Sequence, residues 1–125
     1  MDKPVLLYYR ILNWQPENQA LAANAFTVRE LDHPDQDNGE ILATIHACCA
    51  PLGHYFGSEK MDRCPNLAAI ITNTTGVPHI DIQAAEARGV AVFSLKDEQA
   101  FLDTITPTAE HTWGLLLALL RRTPW

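Results

Sequence analysis

Short apolar runs alternate with more polar stretches along the first 105 residues of the chain. Runs of this length, rich in Val, Ile and Leu, are typical of buried strands. Five strands are predicted, at residues 5–9, 26–31, 41–46, 67–72 and 90–95. Strands that alternate with helices build a parallel sheet with helices on both faces, so the pattern predicts an open α/β fold.

The stretches between these runs carry helix and turn signals. Helices are predicted at residues 17–24 and 58–63. A third helix is predicted between Asp81, which suits an N-cap, and Gly89, which suits the position just after a helix. Residues 96–105 are predicted to form a loop with one helical turn.

Residues 106–125 predict a single long helix. Thr106 suits its N-cap and Pro107 its first position, where the missing N–H would be unpaired anyway. Arg121 and Arg122 complement the helix dipole at the other end, and Pro124 ends the helix. Counted from Pro107 to Arg122 at the rise per residue of an α-helix, its length is about 24 Å.

The apolar residues of this helix do not form one stripe. Leucines occupy positions 115, 116, 117, 119 and 120, which point in every direction around the axis. A helix that is hydrophobic all round must be covered on all sides, and one layer of upstream structure covers only one. The pattern therefore predicts contact with a partner subunit or another domain, with a central core helix as the alternative.

The composition is that of an ordinary folded domain. The 125 residues carry a net charge of −6 without a basic cluster, which argues against nucleic acid or an anionic membrane as a partner. No apolar run reaches the roughly 18 residues that span a bilayer, and the N-terminal residues do not resemble a targeting signal. We therefore expect a cytoplasmic location.

The three cysteines bear on location and on chemistry. Cys48, Cys49 and Cys64 are an odd, unpatterned set, unlike the framework of a disulfide-rich secreted domain. Together with His46 and His54, the adjacent pair raises the possibility of a metal or a reactive thiol. Adjacent cysteines chelate one ion poorly, so we predict buried cysteines and no metal site.

Two loops are the candidate ligand site, because open α/β sheets bind ligands outside the carboxyl ends of their strands. They are residues 47–51 and 73–77. In the second loop Thr74, Thr75 and Gly76 have small side chains, which let a ligand approach the backbone. Successive N–H groups there can face an anion such as a carboxylate. His79, at the entry to the next helix, is expected to bond to the backbone.

Four motifs between residues 65 and 125 occur in a specific combination. They are P-N-L at 65–67, Gly76 followed by Ile80-Asp81, Ala84-Ala85 with Arg88-Gly89, and A-E-H at 109–111 opening a Leu-rich helix that ends Arg-x-Pro. Together they resemble the N-terminal substrate-binding domain of the NAD-dependent D-2-hydroxyacid dehydrogenases, the family that includes phosphoglycerate dehydrogenase. The first 60 residues match it in strand order alone.

The resemblance implies an architecture. Residues 1–105 are expected to form a flavodoxin-like substrate-binding domain. Residues 106–125 are expected to form a helix that leads to a Rossmann NAD-binding domain, which is missing from these residues. In the family this helix also forms much of the dimer interface, so a homodimer through residues 113–122 is expected.

The resemblance also implies a site for a small 2-hydroxy or 2-oxo acid, which the Gly-containing loop contacts through its carboxylate. The residues assigned to substrate are His46, Ala47, Cys48, Thr74, Thr75, Gly76 and Val77. Peripheral contacts to NAD are assigned to Thr75 and Thr108.

The sequence departs from the family pattern at two positions and lacks the family's glycine-rich motif, and these differences limit the assignment. Pro78 replaces a carboxylate that the family usually has, and His46 stands where many members have Arg. The residues contain no G-x-G-x-x-G, and the family's catalytic Arg, Glu and His lie beyond the matched region. We therefore expect no catalytic residue here and no dehydrogenase activity of the chain by itself. The alternative is a stand-alone acid-binding or regulatory module of the same fold without catalysis.

Overall fold

The computed structural model describes residues 2–122 and contains one five-stranded parallel sheet with the strand order β2-β1-β3-β4-β5. The strands are β1 (Val5–Tyr9), β2 (Thr27–Leu31), β3 (Ala47–Cys49), β4 (Ala69–Ile71) and β5 (Ala91–Phe93). All four neighbouring pairs are parallel. This order is that of flavodoxin-like folds, whose direction of strand addition reverses between β1 and β3. The predicted fold class is confirmed.

Helices and short 3-10 turns follow the strands. The helices are α1 (Pro16–Ala25), α2 (Gly39–Leu42), α3 (Ser58–Asp62), α4 (Ile82–Ala87), α5 (Gln99–Leu102) and α6 (Pro107–Arg121). Single 3-10 turns occupy Arg10–Leu12, Pro34–Gln36 and Leu95–Asp97. None of the helices in residues 2–122 is long and apolar enough to cross a membrane.

Successive side chains of β1 point to opposite faces of the sheet, and so they belong to two different hydrophobic clusters. Leu7 and Tyr9 lie in the larger cluster, to which α2, α3 and α4 contribute buried side chains such as Met61. Leu6 lies in the smaller cluster, against which Ala22 of α1 packs. The larger cluster is the main core.

The ends of α4 follow their sequence signals. The Asp81 side chain accepts a hydrogen bond from the Ala84 N–H at 2.9 Å, as an N-cap does. Gly89 follows the helix with a φ of +68°, a conformation that costs glycine little. The predicted N-cap and stop are both confirmed.

The third strand was predicted in the wrong place. Residues 41–46 are not a strand, because Asn38 caps a short helix by accepting from the Ile41 N–H at 3.0 Å. Leu42 of that helix and Ile45 after it are completely buried in the main core. The strand itself is the short run Ala47–Cys49. A short apolar run cannot be assigned to helix or strand from its periodicity alone.

The chain divides into two compact units, of which the first ends at Ser94 and the second begins at Leu95. The second contains α5 as well as α6, so residues 95–105 hold more helix than the single turn expected. Pro107 occupies the first turn of α6 as predicted, but the Thr106 hydroxyl does not cap it. It donates instead to the Glu110 carboxylate at 2.6 Å. Thr106 is nevertheless the N-cap residue, as predicted, and its carbonyl accepts from the Glu110 N–H at 2.9 Å.

The C-terminal end of α6 is only partly within the described residues. Arg121 is in the last turn, and Arg122 follows in the left-handed conformation with a φ of 51°. The predicted stop at Pro124 lies outside the described residues. None of the residues of α6 is buried, and the exposed large side chains include Trp113, Leu119 and Leu120.

Candidate functional site

Two loops meet at the carboxyl edge of the sheet, one after β3 and one after β4. Phe56 joins them as an isolated parallel bridge with Ile80. Its N–H donates to the His79 carbonyl at 2.7 Å, and its carbonyl accepts from the Asp81 N–H at 3.0 Å. The segments after β3 and β4 therefore lie side by side, although they meet at residues that follow the two predicted loops, and the first loop begins at Ala50, directly after β3.

Threonine hydroxyls shape the loop after β4. The Thr74 hydroxyl donates to the Gly76 carbonyl at 2.6 Å, which closes a tight local turn. The Thr72 hydroxyl lies 3.0 Å from the Thr74 hydroxyl and 3.2 Å from Nε2 of His79. These contacts fix the backbone of the loop from within.

The backbone N–H groups of Thr75, Gly76 and Val77 donate to no protein acceptor within residues 2–122. Thr75 and Gly76 are exposed, whereas Val77 is half-buried and packs against the main core. A Cβ built on Gly76 would meet its nearest neighbour, Cδ of Pro78, at 3.7 Å, so the space above the glycine is open. Adjacent free N–H groups in an open loop can hold a carboxylate.

His79 is buried between these loops, and it has a more specific place than sequence reasoning gave it. Its Nε2 contacts the Thr72 hydroxyl, while its Nδ1 is buried without a hydrogen-bond partner in the part of the chain that the structure describes. Burial lowers the pKa of His79, and the backbone of Ala50 partly opposes this shift. The expected interaction with the backbone is that with Ala50, which falls short of full hydrogen-bond geometry at Nδ1, and Nε2 contacts the Thr72 side chain.

The structure corrects the position of His46. The residue precedes β3, its Nδ1 accepts from the Val5 N–H at 3.1 Å, and its N–H donates to the Val5 carbonyl at 2.8 Å. Val5 begins β1, so His46 lies at the amino edge of the sheet, opposite the loops. The prediction that it ends the third strand at the carboxyl edge is wrong, and with it the reason for a substrate contact.

Ala47 and Cys48 are corrected for the same reason. Both lie inside β3 and are buried, instead of standing in the loop after it. The strand was predicted six residues too early in the sequence, so the predicted loop at residues 47–51 includes the residues that form β3. The residues that replace them at the edge are those of the loop from Ala50, in which Leu52 and Tyr55 are exposed.

The cysteines are buried and free, as predicted. Burial raises the pKa of Cys64 to about 11 and that of Cys49 to about 12. Cys48 is completely buried, and burial raises its pKa further. All three are therefore neutral thiols near pH 7, which are poor nucleophiles.

Sequence reasoning missed a charged cluster at the carboxyl end of β1. The Tyr9 hydroxyl donates to Oδ1 of Asp37 at 2.5 Å and accepts from Nζ of Lys60 at 2.9 Å. Nζ of Lys60 also pairs with Oδ2 of Asp37 at 2.6 Å, and the Asp37 side chain is only 9% exposed. Burial is the main cause that raises the pKa of Tyr9. The cluster anchors the segment after β2 and helix α3 to β1.

The two partners of Tyr9 in this cluster are 28 and 51 positions from it in the sequence, so no local motif signals it. A single Lys in a predicted helix and a single Asp in a polar loop are usually exposed.

Of the two residues assigned to NAD, Thr75 is in the loop after β4. Thr108 is exposed in the first turn of α6, where its carbonyl accepts from the Thr112 hydroxyl at 2.8 Å.

The comparisons with known proteins agree on one family. Residues 5–112 match the sequence profile of the D-isomer specific 2-hydroxyacid dehydrogenase catalytic domain. D-3-phosphoglycerate dehydrogenase of Mycobacterium tuberculosis is 32% identical over 127 aligned residues, which cover 99% of this chain and 22% of that protein. The chain spans about a fifth of the length of the curated relatives it matches.

Two solved structures extend the comparison. The 2-hydroxyacid dehydrogenase from Ketogulonicigenium vulgare Y25 superimposes with a TM-score of 0.58 and 28% identity, over 74% of this chain and 29% of that one. D-lactate dehydrogenase from Aquifex aeolicus, complexed with NAD and lactic acid, gives a TM-score of 0.70 over 94% of this chain and 34% of that one. At 18% identity the latter shows the fold alone. The chain belongs to the D-isomer specific 2-hydroxyacid dehydrogenase family, within its catalytic domain.

Proposed function

We propose that these residues form the substrate-binding part of an NAD-dependent oxidoreductase that acts on the CH–OH group of a D-2-hydroxy acid. The loop after β4 binds the carboxylate of the acid in this proposal. The single observation that carries it is the row of three N–H groups, at Thr75, Gly76 and Val77, without a protein acceptor in residues 2–122. Membership of the family supplies the chemical class.

The surroundings of the loop support a bound acid. The hydroxyl of Thr74 holds the Gly76 carbonyl and so fixes the direction of the neighbouring peptide groups. His79 has a buried, unpartnered Nδ1 at the same edge, among the residues that the structure describes. A fixed cradle loses less conformational entropy when an anion binds than a mobile loop does.

NAD does not fit these residues as a complete site. The 125 residues contain no G-x-G-x-x-G, the turn on which a Rossmann domain holds the pyrophosphate. Contacts through Thr75 and Thr108 are proposed as peripheral only. We assign no chemical step to the cofactor on these residues, and hydride transfer requires a cofactor site from elsewhere.

The proposal includes a homodimer through residues 113–122 and a location in the cytoplasm. The leucines of α6 support the first, because Leu119 and Leu120 are 73% and 69% exposed. A two-fold contact covers the same patch on both copies at once.

Titration of the isotope-labelled chain with carboxylates tests the acid site by NMR. D-lactate, glyoxylate and D-3-phosphoglycerate are the probes, since the relatives carry these names or act on related acids. We expect saturable shifts of the Thr75, Gly76 and Val77 amides. Weak binding with a millimolar constant corresponds to about −4 kcal/mol.

A matched pair of variants separates the loop from general effects. Thr74→Val removes the hydroxyl that holds Gly76, and we expect it to weaken binding several-fold. Thr104→Val removes an equivalent hydroxyl-to-carbonyl bond, to Phe101 at 2.7 Å in the second unit, and should leave binding unchanged. Amide shifts confined to the segment after β2, or equal effects of both variants, would contradict the proposal.

The alternative is a stand-alone module that binds a small acid without catalysis. The same free N–H groups favour it equally, since they bind an anion whether or not a reaction follows. The two functions differ in turnover. Oxidation of NADH with glyoxylate, once the chain is joined to the NAD-binding domain of a D-2-hydroxyacid dehydrogenase, supports the oxidoreductase, whereas acid binding with no turnover in that assembly supports the module.

A further inference from the structure

Two histidines and an aspartate that sequence reasoning left apart come together beside the carboxyl end of β1. His33 and Asp35 lie in the segment after β2, and His54 lies in the loop after β3. One ligand atom of each, two imidazole nitrogens and a carboxylate oxygen, lie within 4.8 Å of one another. The segments that carry them follow the two strands on either side of β1.

We infer that His33, Asp35 and His54 form a binding site for a divalent transition metal ion, with Zn²⁺ as the expected occupant. Two imidazoles and one carboxylate are ligands that Zn²⁺ commonly takes. Three protein ligands leave a fourth position open for water or an external anion. The site is distinct from the acid cradle in the loop after β4 and does not depend on it.

The local geometry agrees with a shared ion. Nδ1 of His33 lies 3.0 Å from Oδ2 of Asp35. Two tetrahedral ligand atoms on bonds of about 2.1 Å are about 3.4 Å apart, so this pair is within a few tenths of an ångström of ligand spacing. The rings of His33 and His54 meet edge to face with their centroids 4.5 Å apart. The three ligand atoms all lie within 4.8 Å of one another, and the Asp35 side chain is 83% exposed and so has room to adjust.

The charges around the site leave Asp35 available. The neighbouring carboxylates already have cations, since Asp32 pairs with Arg10 and Asp37 pairs with Lys60. Asp35, by contrast, pairs with no Lys or Arg among residues 2–122, and its Oδ2 lies beside Nδ1 of His33. A carboxylate beside two imidazoles and without a Lys or Arg attracts a cation.

One existing contact competes with the metal. Nδ1 of His33 accepts a hydrogen bond from the Asp35 N–H at 3.2 Å and so caps the turn at Pro34–Gln36. Metal binding through Nδ1 gives up this bond, which as a neutral hydrogen bond contributes little compared with metal coordination. Binding through the other ring nitrogen leaves the cap in place.

An occupied site would link the segment after β2 to the loop after β3. The latter continues through Tyr55 to Phe56, the residue that is bonded to the loop after β4. Zn²⁺ would therefore hold one wall of the acid site in place, without contacting the acid cradle itself.

Calorimetric titration of the metal-free chain with Zn²⁺ tests the inference. We expect one ion per chain and a higher midpoint of thermal unfolding, because an ion that binds the folded state stabilises it by mass action. His33→Asn is the sharpest variant, since Asn keeps a side-chain acceptor for the cap while removing the imidazole. His54→Gln and Asp35→Asn remove the other two ligands.

Each of these variants should weaken Zn²⁺ binding by at least about tenfold, the lower range found even for residues that only support metal ligands. His111→Gln, which replaces an exposed histidine in α6, is the matched control and should bind as the parent chain does. Equal affinity in the parent and in His33→Asn, or a loss in His111→Gln, would overturn the site.

Imidazole resonances of the parent chain give a second measurement, which needs no variant to fold. Zn²⁺ should shift the ring nitrogens of His33 and His54 and leave those of His46, His79 and His111 in place. Uniform broadening of all five histidines would mean non-specific association and would contradict the inference. Acid binding in the loop after β4 is read from different amides, so the two proposals can fail separately.

Discussion

The leucines of β1 in the first unit and those of α6 in the second have opposite environments. In the first unit Leu6 and Leu7 of β1 are 1% and 0% exposed, one in each of the two clusters on the sheet. In the second unit α6 carries five leucines, each more than a third exposed, and Leu119 is nearly three quarters exposed. Strand β1 buries its leucines within its own chain, whereas the leucines of α6 are exposed.

This difference indicates that the leucines of β1 contribute to the stability of the fold, whereas those of α6 are available for association with another surface. Full burial of a leucine contributes about 1.5–3 kcal/mol, and the first unit gains this on folding. The leucines of α6 still have most of that free energy to gain from a further surface. We therefore expect substitutions in β1 to change the free energy of unfolding, and substitutions in α6 to change association.

The largest expected effect is on the core. Leu7→Ala removes a side chain that is completely buried, and it should lower the free energy of unfolding by about 2–5 kcal/mol. Leu119→Ala, the same chemical change on α6, should lower it by less than about 0.5 kcal/mol in the dilute monomer. Urea unfolding of both variants measures the two values. Equal losses would show that α6 is part of a closed core.

The second largest expected effect is on the association of two chains through α6. Leu119→Glu should weaken the proposed dimer by at least about tenfold, because a charge in the interface costs more than about 1.4 kcal/mol when it is desolvated without a partner. Sedimentation equilibrium of the parent and variant chains measures it. Asp97→Ala, an exposed change in the same unit, is the control.

Two outcomes would contradict the proposed interface. One is a parent chain that remains a folded monomer at high concentration and binds no hydrophobic dye. The other is a Leu119→Glu variant that dimerises as the parent does. Either result would mean that the exposed leucines of α6 do not meet their symmetry mates.

The smallest effect is a pH dependence that comes from His79 in the first unit. Burial lowers the pKa of this group below its usual 6.5, so the unfolded chain binds the proton more readily than the folded one. Its contribution to stability is therefore present above pH 6.5 and is lost as the pH falls through the lowered pKa.

Comparison of unfolding at pH 7 and pH 5 for the parent and His79→Gln isolates this contribution. The variant should lose less stability between the two pH values, by at most about 1.4 kcal/mol per pH unit. His111→Gln replaces an exposed histidine and should follow the parent. Identical slopes in the parent and His79→Gln would show that burial does not hold His79 neutral.

Signals within a few residues determined the larger part of the fold. Asp81 and Gly89 set the ends of α4, and Pro107 marks the first turn of α6, because capping and proline geometry depend on the adjacent peptide groups alone. The alternation of apolar runs with helical stretches was enough to predict the parallel sheet. The loop around Gly76 was found in the same way, from small residues after a strand.

Tertiary structure decided what periodicity left open. Residues 41–46 are apolar enough for a strand, but the Asn38 cap turns Ile41 and Leu42 into a helix, and the next residues give β3 its register. This moved His46 to the far edge of the sheet. A short run has no period long enough to distinguish the two structures, so packing against the rest of the core makes the choice.

Contacts between distant segments were outside the reach of the sequence. The Tyr9, Asp37 and Lys60 cluster and the meeting of His33 with His54 depend on which strands lie side by side. The sheet places β2 and β3 on either side of β1, and only that order brings their following loops together. The sequence by itself determined most of the elements and pointed to the loop around Gly76, while the strand order determined which side chains meet, since such contacts need a closed sheet.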